Sequence, residues 1–222
     1  MKRSIFLLAL ATLFANCVLA DESENYNFLF GFGLVTHAFS ETDIFNEWEA
    51  SEKEGKKTYN IKNVNGTEAY VEYFIFGDLA VGYKYQIMSD SKNYSGYTDG
   101  FGDNNYVRKI EIGNHLGYLN YSIAIGESRY WRLGGSAGWG KSTYKFEYSP
   151  PSFASSLEFD EKTDGAIVLL GLFADWGVDG SGGRIGYNRA IIDYDAIELS
   201  NGDKETPEGS GQQLFIDFRY AF

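Results

Sequence analysis

Two histidines, His37 and His115, are the chain's only imidazoles, and a hydrolytic site would have to be built on one of them. Such a site needs a serine beside the histidine and a carboxylate orienting the ring. Ser40 follows His37 by three residues and Ser122 follows His115 by seven. Both offsets are odd, so on a strand each serine points away from its histidine. Only a partner on a neighbouring strand would complete a catalytic pair. Otherwise each histidine reads as an interior hydrogen-bonding group or an interfacial residue. Asp99-Gly100-Phe101-Gly102-Asp103-Asn104-Asn105 has the composition of a calcium loop but lacks its ligand spacing and closing Glu. Gly180-Ser181-Gly182-Gly183 has no following Lys and no helix to cradle phosphate, so it reads as a turn. No catalytic residue, cofactor or metal is assigned.

The elements that would carry any chemistry follow from composition and period. With 17 Tyr, 17 Phe and 4 Trp, the 222 residues are too aromatic for a disordered chain. The single Cys excludes a disulfide scaffold. A formal net charge of −12 argues against nucleic acid as a partner. Lys2 and Arg3, the apolar Ile5–Ala15 and Val18-Leu19-Ala20 have the layout of a secretory signal, with cleavage expected after Ala20 and a mature domain over 21–222. Beyond residue 20 the longest apolar run is Ala166–Ala174, too short for a spanning helix, which needs about 20 residues.

The remainder alternates with period two, the mark of strands with unlike faces. In Asn27–Phe39, Phe28, Phe30, Phe32 and Leu34 share one face and Gly31, Gly33 and His37 the other. Further strands are expected at Ala69–Ile75, Leu79–Ser89, Val107–Ile125, Arg129–Tyr148, Ala166–Trp176, Arg184–Ile197 and Gln212–Phe222, eight in all. Short turns at Phe76-Gly77-Asp78, Gly126-Glu127-Ser128 and Gly177–Gly183 alternate with long polar loops at Ser40–Gly66, Asp90–Tyr106, Ser149–Gly165 and Glu198–Gly211, which hold all three prolines. A hairpin turning at Asn65-Gly66, between Thr58–Val64 and Thr67–Phe74, would raise the count to ten, the alternative kept open.

The last strand sets the sidedness. Leu214, Ile216, Phe218, Tyr220 and Phe222 form an apolar face, opposite one that carries Asp217 and Arg219. Alternation alone does not separate a soluble barrel from a membrane barrel. The ending, with Phe222 last, Tyr220 two before it and apolar residues at every second position upstream, resembles the C-terminal assembly signal of bacterial outer-membrane barrels. Tyr70–Tyr85, an aromatic strand, a Gly-Asp turn and then Leu-Ala-Val-Gly-Tyr, also resembles the small outer-membrane barrels around the OmpA transmembrane domain and OmpX. The resemblance implies an all-β, eight-stranded antiparallel up-and-down transmembrane barrel with both mature termini in the periplasm. Its implied partners are outer-membrane lipid and lipopolysaccharide, periplasmic chaperones and the barrel-assembly machinery. It implies a monomer and brings no catalytic motif.

Parity then nominates Glu72, Lys84, Arg132, Arg189, Asp193, Asp217 and Arg219 for the lumen. Charges inside a narrow barrel need partners, so a salt-bridged plug is expected rather than a pore. Trp131, Trp176, Tyr73 and Tyr220 near the turns, and Tyr85, Tyr144 and Tyr194 toward the loops, are expected to form interfacial girdles. The stretch Asp43-Ile44-Phe45-Asn46-Glu47-Trp48 is either a recognition tip or an aromatic cluster packed within the first loop or against the hairpin at Asn65-Gly66. The sequence-level reading is a structural or surface-interaction barrel with acidic loops. A narrow solute channel and, lower, a lipid-A-modifying enzyme are the alternatives.

Overall fold

The computed structural model describes residues 28–222 apart from 44, 53–54, 77, 100–101, 127–130, 150–158, 179 and 200–201. The expected leader and cleavage site, and Pro150 and Pro151, lie outside the described residues. In chain order the strands are β1 (Phe28–Phe39), β2 (Glu47–Glu52), β3 (Gly55–Asn60), β4 (Asn63–Phe76), β5 (Leu79–Asp99), β6 (Gly102–Ile125), β7 (Trp131–Ser149), β8 (Phe159–Val178), β9 (Ser181–Tyr194), β10 (Ile197–Glu198), β11 (Lys204–Glu205) and β12 (Gly211–Ala221).

Eight of these close into an antiparallel barrel in the order β1-β12-β9-β8-β7-β6-β5-β4. Closure removes every sheet edge from the wall, which matters because an unpaired edge exposes a row of backbone donors and acceptors. At the seam β1 and the residue after β12 exchange backbone bonds, Phe28 N–H to the Phe222 carbonyl at 3.2 Å and Phe222 N–H to the Phe28 carbonyl at 2.9 Å. β2–β3 and β10–β11 are small separate hairpins in the first and last loops.

The wall is therefore eight-stranded, and the ten-strand alternative is corrected. Asn65-Gly66 is not a turn: β4 runs straight through it, pairing Asn65 with Thr36 on β1 and with Ser89 on β5. The Asn-Gly turn preference loses here to two flanking strands, and a Cβ on Gly66 would collide with the Ile87 carbonyl. The hairpin of the first loop lies instead between β2 and β3, with Glu52 paired to Gly55. The second loop is mostly wall as well, because β5 and β6 stay paired out to Asp99 and Gly102, with a register shift between Tyr94 and Tyr97. Likewise β8 begins at Phe159 rather than Ala166, paired to β7 from Tyr148 onward. The barrel wall is thus taller on the β5–β8 side than on the β9–β12–β1–β4 side.

Side-chain polarity is inverted relative to a soluble barrel. An outward belt of apolar or aromatic side chains crosses all eight wall strands, including Leu34, Val71, Ile87, Ile123, Leu133, Leu172, Ile185 and Leu214; Leu172 is 71% exposed and Leu214 63%. Near the short turns an aromatic belt includes Trp131 against Trp176 at 6.0 Å and Phe28 against Tyr73 at 5.0 Å and Phe222 at 6.1 Å. Tyr85 also faces outward, but Tyr144 and Tyr194 are buried inside, which corrects their place in an outer girdle. Both lie on inward-pointing positions of strands whose upper residues pack against the first and last loops rather than against the surroundings.

Candidate functional site: the filled interior

Antiparallel register lines up inward side chains across neighbouring strands, and one such row winds round the barrel. It runs Arg132–Asp175–Arg184–Asp217–Gly33–Glu68–Gln86–Asn114–Ser142, each residue the direct partner of the next. Nothing in local sequence groups these residues. Closure of the sheet does.

At the turn end the row is charged. Arg184 is buried between two carboxylates. It donates from Nε to Asp175 Oδ1 at 2.7 Å, from Nη2 to Asp175 Oδ2 at 3.2 Å, and from Nη1 and Nη2 to Glu72. Arg219 adds a bond to Asp175 Oδ2 at 2.8 Å. Tyr118 O–H and Asn120 Nδ2 donate to Glu72 Oε1 at 2.9 and 2.6 Å. Beside this cluster, Lys84 donates to Glu68 Oε1 at 2.6 Å. Aromatic faces take over part of the cations' lost hydration: the Lys84 ammonium sits 4.7 Å from the Phe215 ring centre, and the Arg184 guanidinium 4.2 Å from that of Phe173. At the turn-end rim Arg132 pairs with Asp78 and donates to Ser122 Oγ at 3.0 Å.

Further up, the row becomes neutral and polar. Gln86 donates to Glu68 Oε2 at 2.7 Å, Asn114 to Gln86 Oε1 at 2.9 Å, and Ser142 to Asn114 Oδ1 at 2.6 Å, with Tyr194 O–H 2.7 Å from Ser142 Oγ. Above and beside it the interior is apolar: Met88, Ile110, Ile112, Tyr144, Phe146, Ile167 and Ile192 surround Phe45, which descends from the first loop. Phe45 is 1% exposed, its ring 5.2 Å from Phe146 and 6.1 Å from Tyr144. Its carbonyl accepts from Arg108 Nη2 at 2.8 Å. Asp43 holds the descending turn by accepting from Phe45 N–H at 2.9 Å, Asn46 N–H at 3.0 Å and Glu208 N–H of the last loop. Among the described residues the interior gap bordered by Lys84, Leu116, Tyr118, Phe173, Arg184 and Phe215 has about 10 Å³ open to water centres, room for roughly one molecule.

Of the seven lumen candidates, the structure buries Glu72, Lys84 and Asp217 and half-buries Arg132 and Arg219 at the turn end. Arg189 and Asp193 are placed differently. On β9 the inward positions are the even ones, Arg184, Asn188, Ala190, Ile192 and Tyr194, so both candidates lie on the outer face near the loop-end rim. Arg189 there donates to Ser40 Oγ at 2.7 Å. Both faces of β9 carry an arginine, and parity counted from Arg189 selects the outer face. Glu68, Asp175 and Arg184 were missed. The outward run Ile185, Tyr187 and Ile191 is the signal that would have placed Arg184 inside.

The histidines do not meet their serines. His37 is buried beside Gln213, with Gln213 Nε2 3.3 Å from its Nδ1, whereas Ser40 bonds Arg189. His115 faces outward with Nδ1 2.6 Å from Tyr83 O–H, whereas Ser122 faces inward to Arg132. Part of the calcium-like stretch, 100–101, lies outside the described residues. Phe45 is the buried cork just described, whereas the side chain of Trp48 lies outside the described residues.

No protein-family model and no curated protein sequence matches this chain. Solved structures do. The outer membrane protein OprG from Pseudomonas aeruginosa is similar at a TM-score of 0.54 and 12% identity, over 90% of this chain and 97% of that one. Neisserial surface protein A is similar at 0.50 and 11% identity, over 87% and 97%. Ail of Yersinia pestis is similar at 0.49 and 13% identity, over 90% and 100%.

Proposed function

We propose that this chain, whose fold is that of the small eight-stranded outer-membrane β-barrels, is an integral outer-membrane protein with a sealed lumen that serves the envelope structurally and presents acidic loops at the surface. The observation that carries this reading is the inverted polarity of the wall. An apolar belt on every wall strand faces outward while Glu72, Arg184, Asp175, Glu68 and Lys84 are enclosed. Water would penalise that belt, and hydrocarbon accepts it. On this reading the short turns and both mature termini face the periplasm, and the taller β5–β8 wall stands outside.

The outward face of β12, Leu214, Ile216, Phe218, Tyr220 and Phe222, closes the barrel against β1. We assign it as the signal read by chaperones and the barrel-assembly machinery. The segments 40–66, 90–106, 149–165 and 198–211, loops together with the wall-strand ends that adjoin them, carry 17 acidic and seven basic residues. Beside phosphorylated lipopolysaccharide such loops favour divalent cations as bridges, because like charges at close range repel. The filled interior supports a plug over a solute channel, and the separation of His37 from Ser40 and of His115 from Ser122 supports a non-enzymatic role.

Refolding into detergent tests this. The expected result is a β-type circular-dichroism spectrum, a heat-modifiable shift in gel migration and no conductance across a planar bilayer. A helical spectrum with no shift would overturn the barrel reading, steady unitary conductance the sealed lumen, and altered lipid A in cells making the protein the non-enzymatic role.

A further inference from the structure

We propose that Asp217 and Glu68 hold a single proton between them in the closed interior, with Asp217 carrying it and donating it to a Glu68 oxygen. The inference rests on the sealed reading of the lumen and adds to it a buried proton-binding site.

The geometry comes from one glycine. Gly33 on β1 is the direct partner of Glu68 on one side and Asp217 on the other. With no side chain between them, the Asp217 and Glu68 carboxyls come within side-chain hydrogen-bonding reach over the strand; a Cβ on Gly33 would collide with Asp217 Oδ1. The alternation of sign along the interior row, Arg132, Asp175, Arg184, Asp217, fails only here, where a second acid follows the first.

The cationic donors are already committed, and the buried Tyr70 O–H makes no hydrogen bond to Asp217. Both Glu68 oxygens are satisfied, by Lys84 and Gln86. Arg184 is spent on Glu72 and Asp175, and Arg219 on Asp175. Asp217 is fully buried, and neither of its oxygens has a hydrogen-bond partner. The groups facing it are Glu68 and Tyr70 from β4, Lys84 from β5 and Arg184 from β9, with no titratable group from β1. Counted as ions within the turn-end cluster, Lys84, Arg184 and Arg219 leave one negative charge in excess among Glu68, Glu72, Asp175 and Asp217. A buried ionised carboxylate without a donor is heavily penalised, and two touching carboxylates do not both ionise. One proton neutralises the excess and turns the acceptor–acceptor contact of one Asp217 oxygen into a hydrogen bond, and the other becomes a neutral carbonyl oxygen, far cheaper to bury than half of a carboxylate.

Infrared spectroscopy of the folded barrel at neutral pH tests the site. The expected result is the carbonyl stretch of a protonated carboxylic acid, shifted when the protein is refolded in D2O and absent in Asp217→Asn. Asp217→Asn, which mimics the neutral acid, should resist urea at least as well as the unaltered protein. Glu68→Gln should also abolish the band, because Lys84 then has Asp217 as its nearest free carboxylate. No protonated-acid band in the unaltered folded protein would overturn the proposal, as would a band that survives in Asp217→Asn. Urea resistance that depends on sodium or potassium at fixed ionic strength, and loses that dependence in Asp217→Asn, would overturn it in favour of a bound cation. Conductance would strike the sealed-lumen reading, which the infrared band does not measure.

Discussion

The two halves of the interior solve the same problem in opposite ways. At the turn end the space inside the wall is filled by ions: Arg184 between Glu72 and Asp175, Arg219 on Asp175, and Lys84 on Glu68. At the loop end it is filled by Met88, Ile110, Ile112, Tyr144 and Ile192 around a cork, Phe45, supplied by the first loop. The wall strands alternate alike through both halves, so secondary structure does not explain the difference. Position does. The charged half lies behind the exposed apolar belt, where a wall of limited width encloses polar groups that must satisfy one another. The apolar half lies largely behind the raised β5–β8 wall, where a loop can fold back to exclude water. Charges demand specific partners, whereas apolar side chains demand only volume, and the two halves should therefore differ in how they tolerate change.

The largest effect should come from Arg184→Ala. It leaves Glu72 and Asp175 enclosed without their main counterion, and breaking a buried pair in this way costs about 3–5 kcal/mol. Urea titration of the barrel in micelles, read by tryptophan fluorescence, measures it. A loss below about 1 kcal/mol would mean that water reaches the cluster and that the charged half is not closed.

Next comes the boundary between inside and outside. Leu133 points outward, 51% exposed, and Ser136 points inward toward the gap near Tyr118 and Arg184. Leu133→Arg places a charge in the belt two residues from Trp131 and should cost about 1–2 kcal/mol, between the midplane and interfacial penalties for arginine. The cost should appear in lipid vesicles and shrink in short-chain detergent, which adapts to a polar spot. A cost equal in both media would separate the belt from any membrane role.

A smaller effect is expected in the apolar half. Ile112→Val removes one methylene from a fully buried site and should cost about 0.5–1.5 kcal/mol. Set beside Arg184→Ala, it measures the contrast between the halves directly. Equal losses would mean that the upper packing is as specific as the ion cluster.

How much of this was legible in the sequence follows from the same contrast. Strand period, the alternation of short and long connections, and the apolar face from Leu214 to Phe222 are local properties, and they yielded an eight-stranded barrel. Asn65-Gly66 misled because turn propensity is local while β4 is held by two partners at once. The charged cluster was half legible. Glu72, Lys84 and Asp217 oppose clearly apolar outward neighbours. β8 is apolar on both faces above Asp175, so parity there has no anchor, and β9 has an arginine on each face, which only the apolar run Ile185, Tyr187 and Ile191 tells apart. Which charges meet depends on the stagger between strands such as β4 and β9, which are not neighbours in the wall, and no single strand encodes that.

The smallest effect concerns the cork, and it should have a sign opposite to ordinary acid unfolding. Asp43 and Glu208 tie the first loop to the last, since Asp43 accepts from the Glu208 N–H. Burial raises the Asp43 carboxyl above its usual range, against the pull of the N–H donors of Glu208, Asn46 and Phe45 and with a push from Glu205. Burial also raises Glu208, helped by Glu41 and Asp43 and opposed by the Ser210 bonds. A carboxyl whose value is raised on folding binds its proton more tightly when seated than when loose. Its contribution is then fully present in acid and is lost as pH rises through the raised value. The cork should therefore sit most firmly at mildly acidic pH and loosen toward neutrality, by less than about 1 kcal/mol because both groups are partly solvated. Hydrogen exchange at the Phe45 amide, corrected for its intrinsic pH dependence, reads this between about pH 4 and about pH 7. Exchange should quicken across that window, and Asp43→Asn should flatten the trend while amides around Glu72 and Arg184 stay protected. Faster opening in acid would mean that the ionised Asp43, with its three N–H donors, is what seats the loop.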